Sequence, residues 1–235
     1  MTVESIMRDL QAKGSEATKR ILLNHGMKEP FFGVKISDMK IIQKQIKKDH
    51  RLSLGLYATG NADAMYLAGL IADENKITKA DLNRWVKSAT STTIIEYTVP
   101  WIAAESQFGY ELALEWIDNK SESIVAAGWS TLSSVVAIKN DTELNIRALK
   151  KLLKRIEKEI HGSENRVKHT MNLFIIAVGS YVIALTDEAI ATAKKIGAVE
   201  VNTGKTPCKI PNAEEYILKV KEKGYLGKKK KTARC

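Results

Sequence analysis

Residues 142–160 read TELNIRALKKLLKRIEKEI, and this stretch decides the fold class. Its apolar side chains recur every three or four residues, which places them on one side of an α-helix. They are Leu149, Leu152, Leu153, Ile156 and Ile160. The opposite side is basic, and its cations follow i, i+4, i+7, i+11 spacing. These cations are Arg147, Lys151, Lys154 and Lys158, with Lys150 and Arg155 beside them.

Helical periodicity continues along almost the whole chain, whereas the alternating β-branched runs typical of strands are nearly absent. Thr2, Ser15, Ser37 and Thr78 stand where helices would begin, as N-cap residues. Pro100 would kink or break a helix at 92–105. The other helices predicted downstream cover residues 52–59, 62–73, 107–118, 121–138, 142–160, 163–185 and 187–196.

Successive helices joined by short links predict an all-α fold in which antiparallel helix pairs stack in a row. Each pair would bury its apolar face only against its neighbours, as in a curved HEAT-like solenoid, or alpha-alpha superhelix. Because self-similarity at about 40 residues is weak here, a plain helical bundle remains the alternative.

The last core helix is predicted to end at Gly197 and the character of the chain changes after Ala198, so we predict a helical repeat domain over 1–197 and a C-terminal extension over 198–235. Asn212 with Glu215 predicts one further capped helix in the extension. The extension ends with four consecutive lysines, 228–231, and we expect this tail to be mobile unless a partner orders it.

The charge balance favours an anionic partner. Lys and Arg outnumber Asp and Glu by 37 to 27, for a formal charge of +10. Nucleic acid is the first candidate and a membrane surface the second, while a basic but indifferent surface is the alternative.

Several classes of protein are disfavoured. Cys208 and Cys235 are far apart and the four His are scattered, so we expect no zinc site, other metal site or disulfide framework. No phosphate-binding or dinucleotide-binding loop occurs, and we expect no cofactor. The N-terminus lacks signal-peptide features, and the apolar stretch from Leu173 to Leu185 is too short for a membrane span. These features predict a soluble, monomeric, cytoplasmic protein, nucleoid-associated if bound to DNA.

The basic side of the 142–160 helix suits a phosphate backbone, where each neutralised phosphate releases counterions. A solvated helix face is the alternative, but further lysines at 228–231 and at Lys40, Lys44 and Lys47 favour nucleic acid. Such contacts would position DNA without reading its sequence.

Four segments carry a resemblance to a known family. They are Phe31-Phe32-Gly33-Val34-Lys35-Ile36-Ser37, Glu96-Tyr97-Thr98-Val99-Pro100-Trp101, Ala126-Ala127 and Ala177-Val178-Gly179-Ser180. In order and spacing, over roughly residues 10 to 197, they resemble the DNA alkylation repair family of HEAT-like repeat DNA glycosylases.

The resemblance implies a solenoid that holds DNA on a basic concave face and excises cationic N3- and N7-alkylated purines without a metal. In that family an Asp stabilises the developing sugar cation, Trp side chains contact the lesion, and an Arg holds the backbone. Here Glu96 stands at the Asp position and Thr92 at a Trp position. Ala126 falls near the Arg position and Ser180 at a second Trp position.

Within this register, Glu96 is the candidate catalytic carboxylate, and a hydrogen-bonded structural Glu is the alternative. Tyr97, Trp101 and Trp129 are candidates for stacking on a base or sugar, with core packing as the alternative. Arg166 and Lys168, at the start of a predicted helix, are candidates for phosphate contacts.

The sequence is therefore consistent with three functions. The first is an alkylpurine DNA glycosylase. The second is a DNA-binding protein of the same family without chemistry, and the third is a protein-interaction scaffold on the same fold.

Overall fold

The computed structural model describes residues 1–204, 206 and 209–234, and within these ranges all regular secondary structure is helical. The chain divides into two compact units. Unit 1 contains the described residues of Met1–Phe108 and Thr203–Pro207, with Arg234. Unit 2 contains those of Gly109–Asn202 and Cys208–Ala233. The predicted all-α class is confirmed, and the predicted boundary at residue 197 stays a prediction.

Unit 1 contains seven of the described α-helices and one π-helical turn, Ile94–Thr98. The helices are α1 (Val3–Lys13), α2 (Glu16–Asn24), α3 (Ile36–Ile46), α4 (His50–Ala58), α5 (Ala62–Ile71), α6 (Lys79–Ser88) and α7 (Val99–Glu105). All ten residues of α5 are buried, so this helix forms the centre of the unit.

Unit 2 contains the remaining described helices. They are α8 (Gly109–Ile117), α9 (Glu122–Ile138), α10 (Ile146–Glu159), α11 (Asn165–Tyr181), α12 (Thr186–Ile196) and α13 (Ala213–Glu222). Helices α9 and α11 pack on each other through Trp129 and Phe174, whose ring centroids are 5.3 Å apart. Leu149, Leu153 and Ile156 of α10 are buried in the same apolar core, as the periodicity predicts.

Local capping chemistry sets most of the helix starts. The side chains of Thr2, Ser15, Thr78 and Asn212 each accept a backbone N–H bond from the first turn, which confirms these four predicted starts. The start predicted at Ser37 is wrong, because α3 begins at Ile36 after an N-cap lysine that forms no side-chain cap.

Two predicted helices are shorter than expected. The helix predicted over 142–160 begins only at Ile146, because Asn145 caps it by accepting the N–H of Ala148. The helix predicted over 163–185 ends at Tyr181, since Val182 has extended backbone angles.

A buried carboxylate fixes the loop between α2 and α3. Asp63 is fully buried, and its Oδ2 accepts the backbone N–H groups of Phe32, Gly33 and Val34 at 2.7, 2.9 and 3.4 Å. Burial raises the pKa of this carboxyl above its usual value, although the three N–H donors oppose the rise. The loop therefore depends on one side chain of α5 for its buried donors.

The basic tail is held by hydrogen bonds, whereas its composition predicts a mobile segment. In unit 2, Gly227 N–H donates to Ser180 O at 2.9 Å and Lys230 N–H donates to Ala137 O at 2.8 Å. In unit 1, the guanidinium of Arg234 donates to Ala72 O at 2.9 Å. It also pairs with Glu74 at 2.7 Å and Glu105 at 2.8 Å. Cys208 and Cys235, for which the sequence predicts no disulfide framework, lie outside the described residues.

We expect Asp63→Ala to lower the free energy of unfolding by about 3 kcal/mol, because three largely buried N–H groups lose their acceptor. Urea denaturation followed by circular dichroism would measure it. Asp63→Asn is the matched control, since its amide oxygen can accept the same bonds and should retain more than half of the stability. Equal losses in both variants would contradict this assignment.

We expect Arg234→Ala to lower the free energy of unfolding by about 2–4 kcal/mol, because Glu74 and Glu105 keep their charge in a partly desolvated site. Thermal unfolding at matched pH would report the loss. Lys231→Ala, which removes an exposed tail cation, should change stability by less than about 0.5 kcal/mol. An unchanged melting temperature in Arg234→Ala would show that the ion pairs contribute nothing.

Candidate nucleic-acid interface

The outward face of α10 forms a continuous cationic surface in unit 2, here called the α10 face. A shallow groove of about 460 Å³ runs along it. The groove is lined by Arg147, Lys150, Lys151, Lys154, Arg155, Lys158 and Glu159. Within the described part of the chain, Arg147, Lys151 and Lys158 are exposed and have no ion-pair partner. These three cations are available to an external anion.

Lys154, the fourth member of the predicted row, is held by a shielded carboxylate. Glu157 receives Lys154 Nζ at 2.8 Å, Lys195 Nζ at 2.8 Å and the hydroxyl of Thr192 at 3.0 Å. These donors, Lys154 first and then Lys195, lower the pKa of Glu157 to about 2. Lys154 is thus fixed in position while its exposed side still faces the groove.

The cations beside the row are paired as well. Lys150 contacts Glu188 at 2.8 Å, and Arg155 contacts Asp118 at 2.6 Å and Glu159 at 2.7 Å. The α10 face therefore combines a central row, mostly unpaired, with paired flanks. Such an arrangement can hold a phosphate backbone against the row without a cofactor or metal.

Trp129, predicted to stack on a base, lies in the core of unit 2 instead. Its ring is fully buried against Phe174, and the guanidinium of Arg155 lies 5.9 Å from its centroid. The core-packing alternative describes this side chain, and we leave Trp129 out of the interface.

In unit 1 the structure gathers Glu96, Tyr97 and Trp101 on one segment. The π-helical turn Ile94–Thr98 is followed directly by α7, where Pro100 occupies the second position and needs no N–H partner. A Cβ on Gly69 would lie only 2.4 Å from Thr98, so glycine lets α5 approach this turn closely. π-Helical turns are frequent at functional sites.

The three side chains differ in accessibility. Glu96 is 6% exposed and Trp101 is 5% exposed, whereas Tyr97 is 43% exposed. The Trp101 ring lies 5.6 Å from Tyr66 and 6.0 Å from Tyr97, centroid to centroid. Tyr97 alone among the three candidates offers a substantial surface to a ligand.

The remaining lysine cluster also lies in unit 1. Lys44 and Lys47 are exposed and Lys40 is half-buried, and Lys47 ends α3 with a φ of 63°. None of the three has an ion-pair partner among the described residues. They form a second cationic surface on a unit other than that of the α10 face.

The start of α11 is occupied by a side chain of the protein itself. The backbone N–H of Arg166 donates to Glu122 Oε1 at 2.7 Å, where the sequence predicts a phosphate. Burial, aided by the charge of Arg166, lowers the pKa of His169 to about 4. Lys168 is half-buried beside this neutral histidine. A phosphate would have to displace Glu122, so the helix start contributes no open anion site.

The positions of the expected family Arg and second Trp are also enclosed. Ala126 is fully buried and Ser180 is 4% exposed. Ser180 O accepts the N–H of Gly227 from the tail. Neither position presents a side chain to a ligand.

Sequence reasoning missed a second cavity of about 320 Å³ in unit 1, between α4 and α6. Tyr57 and Trp85 stack beside it with centroids 3.9 Å apart, and Arg84 lines its rim. The two rings are 28 residues apart, and no local spacing signals that they meet.

The described residues were also searched for metal-binding groups and for helices that could cross a membrane. No described residues form a group of three or more His, Cys, Asp or Glu able to hold a metal ion. In the described ranges no single helix is long and apolar enough to cross a membrane. Helix α11 and the helical segment after it reach that length and composition only together, across a bend of 119°.

Comparisons with known proteins agree with this architecture. A solved structure matches with a TM-score of 0.92 and 36% identity over the full length of both chains. It represents a family related to the HEAT-like repeat DNA glycosylases with affinity for branched DNA structures. The fold is therefore the HEAT-like repeat fold.

Sequence relatives extend over nearly the entire chain. Proteins of Listeria innocua and Listeria monocytogenes are 30% and 29% identical over 228 residues, covering 95% of this chain and 99% of each relative. The family described as DNA alkylation repair enzyme matches residues 6–217. The chain thus belongs to the DNA alkylation repair enzyme family.

Proposed function

We propose that this protein binds DNA through phosphate contacts, prefers branched DNA and leaves glycosidic bonds intact. The observation that carries the proposal is the row of unpaired cations on the α10 face, in a chain of this family. A +10 protein gains affinity for DNA mainly by releasing counterions, and exposed cations without carboxylate partners release them most effectively.

The preference for branched DNA rests on the solved relative. That protein's family has affinity for branched DNA structures, and the two chains share 36% identity and the same fold throughout. Contacts to phosphate and to DNA shape need no base-reading side chains, which fits an interface of lysine and arginine.

The absence of base excision is proposed from the substituted positions. Thr92, Ala126 and Ser180 occupy the positions where the resemblance places a Trp, an Arg and a second Trp, and the last two are buried. Glu96 keeps a carboxylate, but its side chain is 6% exposed and has no neighbouring Trp at position 92. The glycosylase function remains the competing candidate because of this one carboxylate.

We expect the triple variant Arg147→Gln, Lys151→Gln, Lys158→Gln to weaken DNA binding and its salt dependence. Each lost phosphate contact reduces the slope of log affinity against log salt by about 0.9. Fluorescence anisotropy with a labelled four-way junction and a linear duplex, between about 50 and 200 mM salt, would measure both effects.

Lys150→Gln is the matched control on the same helix, because its ammonium is already paired with Glu188. This variant should change the slope of log affinity against log salt by much less than the loss of one phosphate contact does. Unchanged binding in the triple variant would remove the α10 face from the interface. No DNA binding by the wild type at physiological salt would favour the protein-interaction scaffold.

We expect no release of methylated bases from alkylated duplex DNA by the wild type or by Glu96→Gln. High-performance chromatography of the released bases would test this at enzyme excess. Glu96→Gln should bind DNA as the wild type does, since Glu96 is shielded. Release by the wild type but not by the variant would establish a glycosylase with Glu96 in the carboxylate role.

A further inference from the structure

Helix α2 is packed unlike the other helices in the described part of the chain. None of its nine residues is buried, whereas every other described α-helix buries at least two. It is nevertheless well formed, because Ser15 caps its start and the N–H of His25 donates to carbonyls of its last turn. The helix is therefore stabilised at its ends while its outer face stays open.

The open face carries branched apolar side chains around a cation. Ile21 is 58% exposed and Leu23 is 45% exposed. With about 100° per residue, Ile21 and Leu23 lie about 160° apart, on opposite edges of the open face, and Arg20 lies between them. Arg20 is exposed and has no ion-pair partner in the described ranges.

The end of α2 lies against the segment that leads into the Glu96–Tyr97 turn. The backbone N–H of Lys28 donates to Ser91 Oγ at 2.9 Å. A Cβ on Gly26, which has a φ of 82°, would lie 2.9 Å from Thr92 Oγ1. Thr92 is the position where the family resemblance places a Trp, so α2 adjoins the candidate ligand-facing part of unit 1.

The chemistry of this face fits DNA with exposed bases better than an intact duplex. An intact backbone offers phosphates to Arg20 and Lys28 but nothing to Ile21 and Leu23. At a branch point, base faces lose their stacking partners, and apolar side chains can cover them while nearby cations contact phosphates. Lys28 is exposed and, like Arg20, has no ion-pair partner among the described residues.

We propose that the open face of α2 acts as a wedge at a DNA branch point, in which Ile21 and Leu23 on its two flanks each cover an unstacked base, with Arg20 and Lys28 on the adjoining phosphates. The proposal rests on the proposed function and specifies which part of unit 1 distinguishes branched from linear DNA. The wedge needs no chemical step, since it acts by covering base surface that water would otherwise contact.

The test compares the double variant Ile21→Ser, Leu23→Ser with a control, Ile183→Ser, Leu218→Ser. The control changes two apolar residues of unit 2 that are also exposed, at 62% and 40%. Anisotropy measures affinity for a four-way junction and for a linear duplex of the same sequence. A 2-aminopurine placed at the branch point reports unstacking, and circular dichroism verifies folding of both variants.

We expect the wedge variant to lose about tenfold in junction affinity, because base-covering contacts are lost, and to keep its duplex affinity within about twofold. Its 2-aminopurine signal should fall to that of free DNA, while the control behaves as the wild type. Wild-type junction affinity in the wedge variant would overturn the wedge.

The same experiment separates failure of the wedge from failure of the proposed function. Suppose that the wild type binds the junction and that the α10 triple variant binds it more weakly. If the wedge variant then binds the junction as tightly as the wild type, only the wedge is overturned. If the wild type binds neither DNA, the proposed function itself fails. Binding to anionic vesicles that the wedge variant loses, with junction binding intact, would assign the face to membranes and overturn the wedge.

Discussion

The rest of the structure depends on how the unpaired backbone groups at the ends of its short helices find hydrogen-bond partners. The last carbonyls of every α-helix lack partners within the helix and carry its negative dipole end. Near the end of α9, Val136 O accepts Lys229 Nζ at 2.9 Å and Ala137 O accepts the N–H of Lys230. Near the end of α5, Leu70 O and Ala72 O accept the guanidinium of Arg234. The basic tail thus supplies both hydrogen-bond donors and positive charge where helices end.

This role divides the positive charge of the chain into two kinds. Lys229 and Arg234 are largely enclosed, and each is paired with a carboxylate as well as with helix carbonyls. The lysine run at 228–231, which the sequence suggests as a DNA-binding feature, is therefore partly committed to the fold. Under the proposed function, affinity for DNA would come from cations with no such duty, such as the unpaired cations of the α10 face.

The distance between interacting residues explains what could be predicted from the sequence. An N-cap such as Thr78 bonds a backbone group three residues away, so its position is readable locally. Arg234 instead meets the carbonyl of a residue 162 positions earlier, which no spacing rule indicates. The same limit applies to the site. The cation row of α10 follows from helix geometry, but the burial of Trp129 depends on Phe174 in another helix.

The arrangement of charge on α10 argues against an ordinary solvated face. At about 100° per residue, the central row occupies a sector of about 60°, and the acidic residues of the helix lie outside it on both sides. Glu157 therefore pairs at one edge with Lys154 and Lys195, and Glu159 pairs at the other with Arg155.

A surface helix optimised only for stability would place acids four residues from the lysines of the row, where such pairs contribute about 0.3–0.5 kcal/mol each. Here Arg147 and Lys151 have Lys151 and Arg155 at that spacing, so these two cations of the row forgo local pairing. Like charges at that spacing repel one another, and an external polyanion relieves the repulsion along the whole row at once.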